Sequence, residues 1–240
     1  VIDADNKKKT SNISASIVFD SGQGLMHDKF CILDGKRVFT GSMNPTMNDA
    51  MKNDNNMLLI DSKVIASYYK SEFEELWSQS RNGGSMSSPV LINDTKIEIY
   101  FCPEDECADK VIREIRKAQH SIKFMTFSFT HAGIANALLV RMSDNVSISG
   151  IYEKRQLSKD STMSVLKYQG ADVHIDGNKY TMHHKVFIID SETVITGSFN
   201  PSKNADERND ENLLIIHDRS IASQFENEFE RVFGMAQPTN

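Results

Sequence analysis

Apolar positions fall into short blocks whose spacing switches between a period of about 2 and one of about 3.6, the pattern of strands alternating with helices. The spacing predicts a strand over 96–101 and a helix over about 105–119, with Val111, Ile112, Ile115 and Ala118 on its buried face. A strand over 121–129, a helix over 133–142, a strand over 146–152 and a helix near 162–169, stopped by Gly170, follow. Strands alternating with helices predict an α/β fold, a sheet with helices on its faces. The longest apolar runs, 57–60 and 213–216, are too short to span a bilayer, and no charged-then-apolar leader opens the chain. The expectation is a soluble protein of undetermined compartment.

The same pattern occurs twice. A shift of 156 positions lays 20–77 over 176–233 without a gap. Met26-His27-x-Lys29 falls on Met182-His183-x-Lys185, Asp34 on Asp190, and Thr40-Gly41-Ser42-x-Asn44-Pro45 on Thr196-Gly197-Ser198-x-Asn200-Pro201. Asn53-Asp54-x-Asn56 then falls on Asn209-Asp210-x-Asn212, and Glu72-Phe73-Glu74 on Glu228-Phe229-Glu230. The predicted organisation is a first unit over 1–77, a linker over 78–94 carrying Arg81-Asn82-Gly83-Gly84-Ser85, a complete second unit over 95–233 and a tail over 234–240. Val1-Ile2-Asp3 matches only the end of the strand at 146–152, so the first unit lacks one strand–helix–strand–helix block. Such a sheet would carry an unpaired edge and an uncovered face. An upstream segment or a second chain would complete it, unless the copy is reduced by nature.

Composition narrows the partners. With 27 Lys plus Arg against 33 Asp plus Glu and 39% hydrophobic residues, the chain is neither disordered, collagenous nor a coiled coil. A net charge of −6 excludes holding a polyanion by bulk charge, so it must be gripped locally. Cys31, Cys102 and Cys107 cannot all pair with one another, although one Cys102–Cys107 bridge stays open. Asn12, Asn93 and Asn145 begin N-x-S/T triplets that matter only in a eukaryotic secretory route.

The candidate chemistry sits in the two H-x-K-x4-D segments. Strand alternation puts His27 and Lys29 on one face and Asp28 on the other, and turns His184 away from its own motif. If Gly35-Lys36 and Ser191-Glu192 form two-residue hairpin loops, Lys29 lies opposite Ser42 and His27 opposite Asn44, with Lys185 and His183 likewise opposite Ser198 and Asn200. Imidazole, ammonium, hydroxyl and amide on one face suit a phosphodiester: the cation and donors hold its oxygens, and histidine acts as nucleophile or proton donor. Asp34 and Asp190 stand at the turns, where holding the turn competes with direct catalysis. His120, His131, His174 and His217 read as structural. A metal hydrolase is the rival enzyme, but two lysines beside the imidazoles would repel a cation, and no metal or cofactor is expected. A repeat retained only as a nucleic-acid-binding scaffold is the non-enzymatic alternative.

These residues resemble the paired HKD motifs of the phospholipase D superfamily. The second unit is similar to bacterial and archaeal phospholipase-D-like nucleases through Tyr100-Phe101-x-Pro103, Phe127-Ser128-Phe129-Thr130, Gly197-Ser198-Phe199-Asn200 and Asn209-x-Glu211-Asn212. The resemblance implies two units about a pseudo-twofold axis, both histidines at one phosphate, no metal, and a covalent phosphohistidine. It also implies that Glu211 orients a histidine, taken as His183, while the first unit has Asn55 at that position. A carboxylate favours the imidazolium, so this reading makes His183 the general acid and His27 the nucleophile. Lys29, Lys185, Asn44 and Asn200 would hold the phosphoryl oxygens, with Ser42 and Ser198 assisting. The resemblance points to DNA or RNA as substrate; phospholipase D or phosphatidyltransferase action on lipid head groups is the alternative. A single tryptophan and the lack of a long amphipathic basic helix argue against an interfacial lipid enzyme. Lys7-Lys8-Lys9 is either a phosphate contact near the site mouth or a solvated loop, and Cys102-x4-Cys107 is a weak zinc signal.

Overall fold

The computed structural model describes residues 1–10, 14–20, 22, 24–80 and 88–237. The Asn12 triplet, the Lys9 side chain and residues 81–87 of the predicted linker lie outside that description. The second unit contributes β7 (Thr95–Cys102), β8 (Ser121–Thr126), β9 (Ser147–Tyr152), β10 (Asp172–Ile175), β11 (Lys185–Ile189), β12 (Thr193–Gly197) and β13 (Glu211–His217). With β6 (Val90–Ile92), a short strand inside the 78–94 stretch, they form one sheet in the order β10-β9-β8-β11-β12-β13-β7-β6. The β8, β9 and β10 strands run parallel, and the other pairings are antiparallel. Central β11 and β13 are buried on both faces, which is why they read as unbroken apolar runs.

One face is covered by α3 (Cys107–Ile115), α4 (Ala132–Ser143) and α5 (Met163–Tyr168), which pack on Phe124, Phe187, Ile195 and Ile215. The other face takes α7 (Arg219–Met235), capped by Asp218, whose carboxylate accepts from the amides of Ser220 (2.8 Å) and Ile221 (2.9 Å). Its Ala222, Phe225, Phe229 and Val232 lie one or two turns apart and bury against Val186, Ile188 and Val194.

The first unit supplies β1 (Ile2–Asp3) and β2 (Phe19–Asp20), a parallel pair, then β3 (Phe30–Leu33), β4 (Arg37–Gly41) and β5 (Met57–Asp61), an antiparallel sheet, with α1 (Met47–Met51) and α2 (Lys63–Ser78). Helix α2 lies between the two sheets: Ile65, Ala66 and Tyr69 meet Val38 and Ile60 on one side and Ile97, Ile99 and Phe101 on the other. The Tyr69 ring packs edge-on to Phe30 and Phe101, at centroid distances of 5.0 and 5.1 Å. Burying each such side chain contributes about 1.5–3 kcal/mol, so this contact binds the units together. Among the described residues β3 and β5 pair only with β4, and Cys31, Met57 and Leu59 are exposed on this small sheet.

Both hairpins differ from the predicted register by one residue. Leu33 faces Arg37 and Ile189 faces Thr193, so each connection holds three residues. The reason is backbone chirality at the turn: Asp34 and Gly35, and likewise Asp190 and Ser191, take left-handed φ values between 52° and 60°, which places the turn one position earlier. The strand after each turn then ends at a glycine, Gly41 or Gly197, with φ of 147° or 141°. A Cβ there would collide with the carbonyl of Asn56 or Asn212, so glycine lets β4 and β12 break just before Ser42 and Ser198.

Candidate active site

Reciprocal backbone bonds join the units and place the motifs. The His27 amide donates to the Asp210 carbonyl (3.0 Å) and the Asp210 amide to the Leu25 carbonyl (2.9 Å). In the other half, His183 donates to Asp54 (2.6 Å) and Asp54 to Thr181 (2.9 Å). Asparagines repeat the exchange: Asn56 Nδ2 donates to Thr196 Oγ1 and Thr40 Oγ1 to Asn212 Oδ1, both at 2.9 Å. Each motif histidine is therefore strapped to the loop that opens the other unit's strand, the arrangement expected of a pseudo-twofold axis.

This exchange corrects the carboxylate assignment. Glu211 is fully buried and takes His27 Nδ1 at 2.7 Å, not His183. Ser198 Oγ (2.6 Å) and Asn209 Nδ2 (3.1 Å) donate to the same carboxylate. His183 Nδ1 instead bonds the Ser42 carbonyl at 2.9 Å, with Asp49 Oδ2 4.0 Å away. Asn55 turns aside, donating to the carbonyls of Asp49 and Asn53. Sequence reasoning missed Asp49, although the signal was present: its repeat counterpart is Ala205, so the unit that lacks a glutamate at 55 has its own carboxylate at 49.

Lys29 Nζ donates to the His27 carbonyl (2.7 Å) and Lys185 Nζ to the His183 carbonyl (2.9 Å). Burial lowers both ammoniums, Lys29 to about 8 and Lys185 well below the usual lysine range, the latter pushed further by the Lys29 charge. Burial and then the charges of Lys185 and Lys29 bring His183 down to about 2. His27 is lowered by burial too, with Glu211 working the other way. Phe127 walls the site, 4.8 Å from the His183 ring and under Lys185 Nζ at the same distance. Burial and mutual repulsion thus disfavour the charged forms of these groups, with Glu211 and Asp49 opposing that for the lysines, and an anion beside them would favour protonation.

Other expected site residues fall elsewhere. Asp190 lies at the far end of β11 from Lys185 and accepts from the amides of Gln119 (2.7 Å), His120 and Ser121 (both 2.8 Å). Asp34 stands exposed at the matching turn, 3.9 Å from Arg37. Both hold turns and touch no reacting group. Ser42 and Ser198 are fully buried and already engaged, Ser42 Oγ with Asn56 (3.1 Å) and Ser198 Oγ with Glu211, so their hydroxyls do not reach a phosphate. The register shift and the glycine breaks turned them inward. Asn44 and Asn200 follow at the loop mouths, and among the described residues their side-chain amides carry no hydrogen bond. His184 is buried behind the site, bonding Asn56 (3.1 Å) and Glu228 (2.9 Å). Lys7 rests over Phe19, 5.5 Å from its centroid. Cys102 and Cys107 form a disulfide, which leaves no thiolate pair there for zinc. Among the described residues one group has metal-ligand spacing, Glu98, Glu114 and His217, yet its carboxylates already take Lys96 (2.7 Å), Arg113 (2.6 Å) and Lys117 (2.8 Å).

The profile described as "Cardiolipin synthase, PLD-like domain" matches residues 3–77 and 111–233. The chain belongs to the phospholipase D superfamily. It is 32% identical over 142 residues to a phospholipase D of Rickettsia prowazekii, covering 58% of this chain and 69% of that protein. It is 30% identical over 153 residues to the mitochondrial cardiolipin hydrolase of Xenopus tropicalis, covering 63% and 73%. Among solved structures, the phospholipase D family member Nuc of Salmonella typhimurium aligns with TM-score 0.57 and 25% identity over 61% of this chain and 99% of its own. A phosphatidylserine synthase of Haemophilus influenzae shares the fold over 89% of this chain and 63% of its own, with TM-score 0.69 at 13% identity. The superfamily's chemistry is phosphodiester cleavage, and this chain brings two histidines, two lysines and the side-chain amides of Asn44 and Asn200 into its two motif segments.

Proposed function

We propose that the chain is a metal-independent nuclease that cleaves DNA or RNA through a phosphohistidine on His27. The observation that carries the mechanism is the Nδ1 pairing. Glu211 fixes the His27 tautomer, leaves Nε2 with its lone pair, and balances the positive charge that grows on the ring as the N–P bond forms. His183 has a backbone carbonyl at Nδ1, so it can carry a proton at Nε2 once a phosphodiester offsets Lys29 and Lys185. In the first step His27 attacks phosphorus, the P–O bond breaks, and the leaving oxygen takes the His183 proton. In the second, His183 takes a proton from water, whose oxygen displaces His27. Lys29, Lys185, Asn44 and Asn200 hold the phosphoryl oxygens.

The resemblance of the second unit supports nucleic acid as the substrate. A phospholipid reading has its own support: Met47 and Met51 stand 75% and 71% exposed on one face of α1, and the relatives include proteins named for phospholipid hydrolysis. Incubation in chelator with labelled single- and double-stranded DNA, RNA and cardiolipin or phosphatidylcholine vesicles, beside His27→Ala, separates the two. Cleavage of nucleic acid with label trapped on His27 is expected. Cleavage of lipid alone overturns the substrate, and label on His183 overturns the division of labour.

A further inference from the structure

The two lips of the site are unlike, and the internal repeat makes the difference legible. Three residues before His183, Tyr180 stands 37% exposed, with Lys52 Nζ 5.3 Å and Lys179 Nζ 5.0 Å from its ring centroid. The lip beneath the ring is held by a network of hydrogen bonds. The Arg155 guanidinium donates to the carbonyls of Tyr180 and Lys179 (2.8 Å for the latter) and to Thr181 Oγ1 (3.1 Å). The Tyr180 amide donates to Asn178 Oδ1 (2.9 Å), and Asn178 Nδ2 in turn reaches Asp54 (2.7 Å) and the Lys52 carbonyl (3.3 Å), which ties the first unit to the second. At the first motif the repeat puts Gly24 where Tyr180 stands. A Cβ at Gly24 would fall against the carbonyl oxygen of Arg208, so no side chain fits at that position.

We infer that Tyr180, Lys52 and Lys179 form a subsite for the departing side of a single-stranded nucleic acid. The inference rests on the nuclease reading and on His183 as proton donor. In-line displacement puts the leaving oxygen at His183, opposite His27, so the departing piece lies along the lip that leads into His183. The base next to the scissile phosphate stacks on Tyr180, and the following phosphate takes the two ammoniums. A lysine over an exposed ring holds it weakly and gives way to a base. The ring's neighbours, Lys52, Lys179, Asn178 and Arg155, are polar, which suits a base and phosphate better than an acyl chain. Position 24, the counterpart of Tyr180, offers no ring, so the stacking contact falls on the departing piece.

The test measures binding of a labelled single-stranded oligonucleotide to His27→Ala protein, alone and with Tyr180→Ala, Tyr180→Phe or Lys52→Ala plus Lys179→Ala. Tyr180→Ala should weaken binding about tenfold and Tyr180→Phe should restore it, because the ring and not the hydroxyl stacks. The double lysine variant should lower the slope of log affinity against log salt by about 1, whereas Lys36→Ala, in the turn beyond β3, should not. In the active background, Tyr180→Ala should lower kcat/KM for the oligonucleotide about tenfold relative to that for bis(p-nitrophenyl) phosphate. Equal oligonucleotide binding by Tyr180→Ala overturns the subsite while leaving the nuclease reading intact. Loss of phosphatidylglycerol-vesicle binding in its place also overturns it, in favour of a membrane-facing lip. A wild-type protein that hydrolyses the small diester and leaves every oligonucleotide whole overturns the nuclease reading together with the subsite.

Discussion

Each motif histidine is defined by what holds its Nδ1, and the two are held differently. His27 has the carboxylate of Glu211, while His183 has the Ser42 carbonyl with Asp49 at 4.0 Å. We read Asp49 as a positioning residue: its carboxylate also accepts from the Asn44 backbone N–H and the Asn53 side chain, and so shapes the loop beneath His183. A carboxylate there favours the protonated form of His183, which the proposed first step requires. Asp49→Ala is therefore expected to lower kcat and move the alkaline limb of the pH–kcat profile to lower pH. An unmoved profile would reduce Asp49 to a loop support. The histidines and lysines were legible in the sequence because chemistry demanded them at one offset. The partner of Glu211 was not, because a repeat reports equivalence and is silent about exchange across an axis.

At the scale of elements, the hairpins show how one turn decides a register. The Asp190 carboxylate collects three amides at the start of β8, and although its partial burial opposes charge, those bonds hold it below the ordinary carboxylate range. A depressed folded pKa means stability present above the unfolded value and lost as pH falls through the folded one. Asp190→Asn should cost about 2 kcal/mol at neutral pH. That is a fall in Tm of about 5 °C, and it should shrink below about pH 4 as the wild type loses the same bonds. Its kcat/KM should stay near that of wild type; a large loss would return Asp190 to the catalytic set. The strands and helices of the second unit follow the sequence pattern to within a few residues, since periodicity records which face is buried. The turn did not, because left-handed φ at Asp34 and Asp190 leaves no mark in hydrophobicity.

Across the whole molecule, the duplicated halves have diverged where they meet the site. Behind the second motif His184 bonds Glu228 at 2.9 Å. The equivalent residues behind the first are Asp28 and Glu72, two acids. Burial, and then the charge of Asp28, raises Glu72 above the usual carboxylate range, and burial raises Asp28 in the same direction. Groups with raised folded pKa bind more protons when folded, so stability falls as pH rises from the ordinary carboxylate range through the raised values. Glu72→Gln should flatten that slope, raising Tm by at least about 3 °C at pH 8 with little change near pH 4. Parallel Tm curves for variant and wild type would show that the two acids are not linked to folding. The sequence by itself determined the α/β class, the duplication and the four basic groups of the site, because periodicity and reactivity are local properties. Only the tertiary structure decided which carboxylate serves which histidine, that both serines are buried, and that Lys52 of the first unit lies over the Tyr180 ring of the second. Those facts depend on which surfaces of the two units face each other across the axis.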